Sequence, residues 1–83
     1  MDKDEVMVLV GKVLAGIAPE ADLASVGEAE DLRSALDLDS MDFLNLVIGL
    51  SQGSGVAISE KDYPQLFTLK GIQSYLRKDS GKP

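Results

Sequence analysis

Residues 36–58 read LDLDSMDFLNLVIGLSQGSGVAI, and this stretch decides the fold. Asp39 and Ser40 stand directly before apolar residues at helical spacing, so the pattern predicts a helix over about 40–52 with Asp39 as its N-terminal cap. The sequence Gly53-Ser54-Gly55 predicts its end. The apolar arc is too wide for a simple surface helix. Its members are Met41, Phe43, Leu44, Leu46, Val47, Ile48 and Leu50.

An amphipathic helix is predicted upstream of this stretch. Asp2 is a suitable cap, with Glu5 three residues later as its capping-box partner. Ala18-Pro19 predicts the end of this helix, because proline disfavours helical geometry in the residue before it. The apolar face consists of Val6, Leu9, Val10, Val13, Leu14 and Ile17.

Two further helices are predicted downstream. Ser59 and Asp62 form an S-x-x-D start to a short helix, which Pro64 kinks or shortens. Thr68 opens a last helix. The apolar face of that helix consists of Leu69, Ile72, Tyr75 and Leu76.

The fold class that follows is all-α. We expect a small four-helix bundle, with three main helices, one short helix and a long loop over about 19–35 that contains a short helical turn. The sequence predicts a single domain over 1–83, in which 79–83 form a disordered tail.

The composition excludes several functions. The 83 residues include no cysteine and no histidine, which rules out thiolate and imidazole zinc sites, Ser-His-Asp triads and Cys-His dyads. A domain of this size buries only about 60–65% of its unfolded surface, which leaves no room for a large active-site cleft. We therefore expect a protein that is not an enzyme. We also expect no membrane span, because the longest apolar run, 6–10, is far below the roughly 20 residues required.

The charge is concentrated in one part of the chain. The formal charge is −6, and residues 28–42, the acidic segment, contain six acids and one arginine, a net of −5. This charge predicts partners with basic surfaces and argues against nucleic acid. No metal is expected, because an EF-hand loop starting at Asp37 would have Asp42 where glycine is needed and Ile48 where glutamate is needed. A cytoplasmic monomer is the default expectation.

Ser40 has two interpretations. Taken alone, Asp-Ser at a helix start is ordinary capping. The surrounding chain, from about Glu5 to Leu76, resembles the acyl carrier protein family. The resemblance is carried by Leu36-Asp37-Leu38-Asp39-Ser40-Met41-Asp42, which is similar to the family's Asp-Ser-Leu attachment motif, and by Leu46-Val47, Gly55-Val56-Ala57-Ile58 and Thr68-Leu69-Lys70-Gly71-Ile72.

The resemblance implies a set of roles for these residues. Ser40 would accept 4′-phosphopantetheine from coenzyme A through a phosphopantetheinyl transferase, within a motif that includes Asp39 and Met41. The thiol of the arm would then carry acyl groups as thioesters to acyl-processing enzymes with basic docking surfaces. The candidates for contact with these partners are Asp37, Met41, Asp42, Leu44 and Ile48, and the candidates for an acyl pocket are Phe43, Leu46, Val47 and Leu50.

Some positions depart from the family's usual pattern. Asp37 replaces a common glycine, and Met41 replaces the usual leucine. Glutamates that are typical of carriers in fatty-acid synthesis are absent at Asn45, Ser51 and Gln52. These departures favour a dedicated pathway, such as secondary metabolism, over housekeeping lipid or fatty-acid biosynthesis. An aminoacyl or peptidyl carrier, and an unmodified acidic helical interaction module, remain as alternatives.

Overall fold

The computed structural model describes residues 2–80, and side chains through Arg77. It confirms the all-helical fold class, with no β-strand in the described range. The order of elements is α1 (Lys3–Ala15), a 3₁₀ turn (Leu23–Ser25), α2 (Leu32–Ala35), α3 (Ser40–Ser54), a 3₁₀ helix (Glu60–Leu66) and α4 (Leu69–Ser80).

Helix α1 begins with the predicted capping box. The Asp2 carboxylate accepts the backbone N–H of Glu5 at 2.9 Å, and the Glu5 carboxylate accepts that of Asp2 at 3.0 Å. The predicted end at Ala18-Pro19 is wrong, because the helix ends at Ala15 and Gly16 caps it. A glycine in helical geometry costs about 0.5–1 kcal/mol relative to alanine, so Gly16 is a weak point at which the helix ends. Ile17 therefore lies beyond the helix.

Helices α1 and α3 approach closely because α3 has glycines on the facing side. A Cβ atom built on Gly49 would lie 2.6 Å from Val13 Cγ1, and one built on Gly53 would collide with Leu9 Cδ1. Helix α3 continues slightly past the predicted residue 52, to Ser54, and is capped by Gly55 with a φ of 75°. That left-handed conformation suits glycine.

Helix α4 and the 3₁₀ helix before it pack together. Pro64 lies inside the 3₁₀ helix, and Ser59 makes no side-chain capping bond, so this part of the S-x-x-D prediction is wrong. Thr68 precedes α4 as predicted, and its Oγ1 accepts the N–H of Gly71 at 3.0 Å. Residues 79 and 80 of the predicted tail belong to α4, while 81–83 lie outside the described residues.

The long loop is tied to the start of α4 by backbone hydrogen bonds. Leu32 donates to the carbonyl of Phe67 at 2.7 Å, and Lys70 donates to that of Glu28 at 3.0 Å. These bonds hold α2 and the residues before it beside the end of the 3₁₀ helix and the start of α4. The core between the helices contains Val6, Val10, Leu14, Leu32, Leu38, Phe43, Leu46, Val47, Leu50, Leu66, Leu69, Ile72 and Leu76.

Candidate functional site

Ser40 is the first residue of α3 and is exposed. The cap is Asp39, as predicted: its carboxylate accepts the backbone N–H of Asp42 at 2.8 Å. The carboxylate of Asp42 accepts the N–H of Asp39 in return, at 3.4 Å. Because Asp39 performs the capping, the Ser40 hydroxyl is not needed to start the helix.

The chain turns from α2 into α3 at Asp37. This residue has a φ of 55°, and it is the only described residue other than glycine with a positive φ. The next residue, Leu38, donates its N–H to the carbonyl of Arg33 at 2.9 Å and is buried. This geometry, a left-handed residue after a helix, is the one that glycine usually supplies. It explains why Asp37 stands where the resembling family has glycine, since aspartate tolerates positive φ better than most residues.

A groove of about 810 Å³ opens beside Ser40. It runs between α2, the first turns of α3 and the 3₁₀ helix. Its apolar lining consists of Leu38, Phe43, Leu44, Tyr63, Pro64 and Phe67, and its polar rim consists of Arg33, Ser34, Asp39, Ser40 and Glu60.

Aromatic rings form part of the groove wall. Phe43 meets Phe67 edge to face, with ring centroids 5.2 Å apart, and meets Tyr63 in the same manner at 6.2 Å. Such pairs are worth about 0.5–1.5 kcal/mol beyond the burial of their area. The rings therefore stabilise one another as well as lining the groove.

Arg33 lies over one of these rings. Its guanidinium carbon is 3.6 Å from the centroid of Phe67. Its Nε and Nη2 donate to the two carboxylate oxygens of Asp31, at 3.1 and 2.7 Å. These hydrogen bonds from Arg33 hold the pKa of Asp31 below its ordinary value. Arg33 was not among the predicted site residues, although its position as the single cation of the acidic segment was a signal in the sequence.

The four predicted acyl-pocket residues all belong to the buried core, and one of them also lines the groove. Phe43 lines the groove. Leu46, Val47 and Leu50 are at most 2% exposed and belong to the core, and none of them lines the groove. In this conformation of the chain, the space beside Ser40 is formed by Phe43 together with residues of the loop and the 3₁₀ helix.

The predicted partner stripe, Met41, Leu44 and Ile48, is largely on the surface. Met41 is 63% exposed and Ile48 is 44% exposed, while Leu44 is half-buried and lines the groove. Of the predicted acids, Asp37 is exposed and Asp42 is half-buried in the capping box. Among these residues, Leu44 shares the groove with the serine, and Met41 follows the serine directly in the chain.

Residues 2–80 contain neither a metal-binding cluster nor a membrane-spanning helix. No three carboxylates there are grouped in a way that could hold a metal ion. No helix in this part of the chain has the length and apolar character needed to cross a bilayer.

The fold and site define a small α-helical protein with an exposed serine at a helix start, beside an apolar groove. No protein-family model matches the chain. The chain is 26% identical over 76 residues to a mitochondrial acyl carrier protein of Neurospora crassa, covering 92% of this chain and 57% of that relative. It is 28% identical over 81 residues to polyketide-8 synthase acyl carrier protein 2 of Streptomyces avermitilis, covering 98% of this chain and 87% of that relative.

The chain thus spans little more than half the length of the Neurospora relative. Both relatives are named acyl carrier proteins, the class that the residues around Ser40 resemble. Likeness to two carriers along most of the chain supports a carrier role in general terms.

Proposed function

We propose that this protein is an acyl carrier whose Ser40 bears 4′-phosphopantetheine. The observation that carries the proposal is the position of Ser40: exposed, first in α3, relieved of capping by Asp39, and on the rim of an apolar groove. The names of the two relatives support the same role. When bound, the group supplies a thiol that holds the cargo as a thioester, which a chain without cysteine cannot supply itself.

The attachment reaction requires an accessible hydroxyl and a site that accepts an anion. In the transfer, the Ser40 oxygen forms a bond to the phosphorus of coenzyme A that bears the pantetheine arm. The P–O bond that joins this phosphorus to the nucleotide side of the diphosphate breaks, adenosine 3′,5′-bisphosphate leaves, and the serine proton is taken up by a base of the transferase or by water. The helix N-terminus favours the resulting phosphodiester, because its free N–H groups carry partial positive charge. The carboxylates of Asp39 and Asp42 already accept backbone N–H groups in the capping box, so they offset part of this positive charge.

The groove supports a second part of the role, which is shelter of the cargo. A chain attached at Ser40 starts on the rim of the groove, so the cargo can lie along Phe43 and Leu44 when the arm folds back. Burial of apolar surface stabilises such a position by about 25 cal/mol per Å². Leu46, Val47 and Leu50 are buried in the core, so contact between the cargo and these residues requires that their packing open.

The partners we propose are a phosphopantetheinyl transferase and acyl-processing enzymes with basic surfaces. Asp37 and Asp42 would attract them, and exposed Met41 and Ile48 would provide apolar contacts. The pathway we favour is a dedicated one, because Asn45 and Gln52 leave α3 without the glutamates typical of fatty-acid carriers.

The test is intact-mass measurement after incubation with coenzyme A, Mg²⁺ and a broad-specificity phosphopantetheinyl transferase. We expect the wild-type protein to gain one phosphopantetheinyl group and Ser40→Ala to gain none, with the same helical circular dichroism because Asp39 still caps α3. The matched control is Ser74→Ala, since Ser74 is another exposed helical serine. Modification of Ser40→Ala would contradict the assignment. Absence of modification in the wild-type protein would favour the unmodified interaction module.

A further inference from the structure

The rim of the groove contains one cation, Arg33. Two contacts fix the orientation of its guanidinium group. The stacking on Phe67 fixes one face of the guanidinium, and the paired bonds to Asp31 fix its edge. Arginine has five N–H groups, and Asp31 takes one from Nε and one from Nη2. Three N–H groups are left for another acceptor on the polar rim, next to the apolar wall of the groove.

The charge of the rim limits what that acceptor can be. Two carboxylates, Asp39 and Glu60, line the same groove, and Asp31 lies beside the guanidinium. A carboxylate on the cargo would therefore meet three protein carboxylates and one guanidinium. Like charges repel one another at short range, so such a cargo is disfavoured. A neutral oxygen, such as a ketone or a hydroxyl, accepts a hydrogen bond without that penalty.

The walls limit the rest of the cargo. Leu38, Leu44 and Pro64 together with the three aromatic rings favour hydrocarbon surface over a peptide, whose N–H and C=O groups would lose hydration there. A peptide would find few of the hydrogen-bond partners it needs. The groove thus combines an apolar wall with one well-oriented set of donors.

We propose, resting on the proposed function, that Arg33 selects the cargo of this carrier, and that the groove prefers a neutral acyl chain bearing ketone or hydroxyl oxygens to a saturated or a carboxylate-ended chain. Asp31 positions Arg33 for this role. Because Arg33 and Phe67 come from segments far apart in the chain, the selection depends on the folded bundle.

The test uses the full chain loaded at Ser40 with hexanoyl, β-oxohexanoyl or adipoyl pantetheine, which are of equal length. Loading is checked first by intact mass. The rate of thioester exchange with an added small thiol is then measured for each cargo. Dividing the rate for the same cargo on free pantetheine by this rate cancels differences in intrinsic reactivity. The quotient is the protection that the protein gives to each cargo.

We expect β-oxohexanoyl to be protected about threefold to tenfold more than hexanoyl, the range of one net hydrogen bond, and adipoyl to be protected least. Arg33→Gln should reduce the β-oxohexanoyl protection to the hexanoyl value. Arg33→Lys should restore only part of it, because lysine has no planar set of donors. Lys12→Gln, which removes a cation from α1 on another surface, is the matched control and should change nothing.

A second measurement does not depend on the variants. In the wild-type protein, the Nη–H resonances of Arg33, which include the N–H groups that Asp31 does not take, should shift when the cargo changes from hexanoyl to β-oxohexanoyl. Equal protection of the three cargoes, or protection unchanged in Arg33→Gln, would overturn the inference while loading at Ser40 still held. Failure to load Ser40 at all would overturn the proposed function and this inference with it.

Discussion

At the scale of single residues, the conformation of Asp37 determines the direction from which the chain reaches Ser40. The left-handed turn there ends α2 and allows Leu38 to bury its side chain while α3 begins two residues later. If the residue at position 37 could not adopt a positive φ, the chain would enter α3 from a different direction. Asp37 is thus a backbone requirement as well as a negative charge.

This requirement gives a stability prediction. Asp37→Ala should lower the free energy of unfolding by about 1 kcal/mol, because an L-residue with a Cβ and no local hydrogen-bonding side chain is disfavoured at positive φ. Asp37→Asn should be neutral or slightly stabilising, since asparagine is among the residues most often found there. Urea denaturation of the unmodified protein measures both. Equal stability of the two variants would show that the turn is not under conformational constraint.

At the scale of elements, glycine has opposite roles in α1 and α3. Gly11 in α1 is near Leu23, and an added Cβ would lie at an ordinary contact distance of 3.8 Å. Gly49 in α3 has no such space, because Val13 of α1 is packed against it. The close approach of α1 and α3 therefore requires glycine at position 49, whereas position 11 has room for a larger residue.

The contrast between these glycines is testable by the same substitution. Gly11→Ala should raise the free energy of unfolding by about 0.5–1 kcal/mol, through better helix propensity. Gly49→Ala should lower it by about 1–3 kcal/mol, since overpacking moves α1 away from α3. Thermal denaturation followed by circular dichroism distinguishes them. A stabilised Gly49→Ala would mean that the α1–α3 contact is loose.

The surface of α3 allows a test of the proposed pathway. Asn45 and Gln52 are exposed, whereas the Ser51 hydroxyl donates to the carbonyl of Val56 at 2.8 Å and ties the helix end to the following strand-like link. Ser51 is therefore unsuitable as a position for an added surface charge. Asn45 and Gln52 are the two positions that can be changed without removing a bond of this kind.

We expect Asn45→Glu with Gln52→Glu to improve the loaded carrier's turnover by a fatty-acid malonyl transferase or ketosynthase. Two exposed ion pairs are worth about 0.4–2 kcal/mol together, or roughly twofold to thirtyfold in association. The control is Ser74→Glu, which adds a negative charge at an exposed position of α4 and should not improve turnover. If the wild-type carrier already performs as well with these enzymes as a fatty-acid carrier, the dedicated-pathway proposal is wrong.

The helices were predictable because their signals are local. The capping box at Asp2, the cap at Asp39 and the opening by Thr68 each depend on neighbours within three residues. The groove was not predictable in this way. Its rim joins Arg33 to Phe67, and the choice of Phe43 but not Leu46 for its lining depends on how α3 is rotated against the loop. Neither the contact between Arg33 and Phe67 nor the rotation of α3 produces a repeating pattern in the sequence, so neither could be predicted from it.

At the scale of the whole molecule, the acidic segment is partly neutralised by pairing. Glu28 pairs with Lys3 at 3.1 Å, and Asp31 pairs with Arg33 at 2.7 Å. The acids on either side of Ser40 are Asp37, Asp39 and Asp42. The negative field available to a partner is thus centred on the start of α3.

This distribution predicts that modification of Ser40 slows as salt is raised, chiefly through weaker association. Exposed charges are screened over about 8–10 Å at physiological ionic strength. Asp37→Asn, which keeps the turn, should reduce the salt dependence, and Glu20→Gln in the exposed part of the loop should leave it unchanged. Initial rates of mass gain at several salt concentrations measure it. A rate that does not respond to salt would exclude electrostatic attraction as the means of recognition.

Two backbone hydrogen bonds connect the long loop to the start of α4: Leu32 donates to Phe67, and Lys70 donates to Glu28. The groove depends on these bonds, whereas the start of α3 does not. The capping box and Ser40 are formed by residues 39–42, so their geometry depends on neighbours in the sequence. The groove, in contrast, requires that residues 35 and 42 positions apart in the chain meet, since loop closure must come first. Under the proposed function, a grafted or truncated version of this chain would accept the arm and leave its cargo open to water.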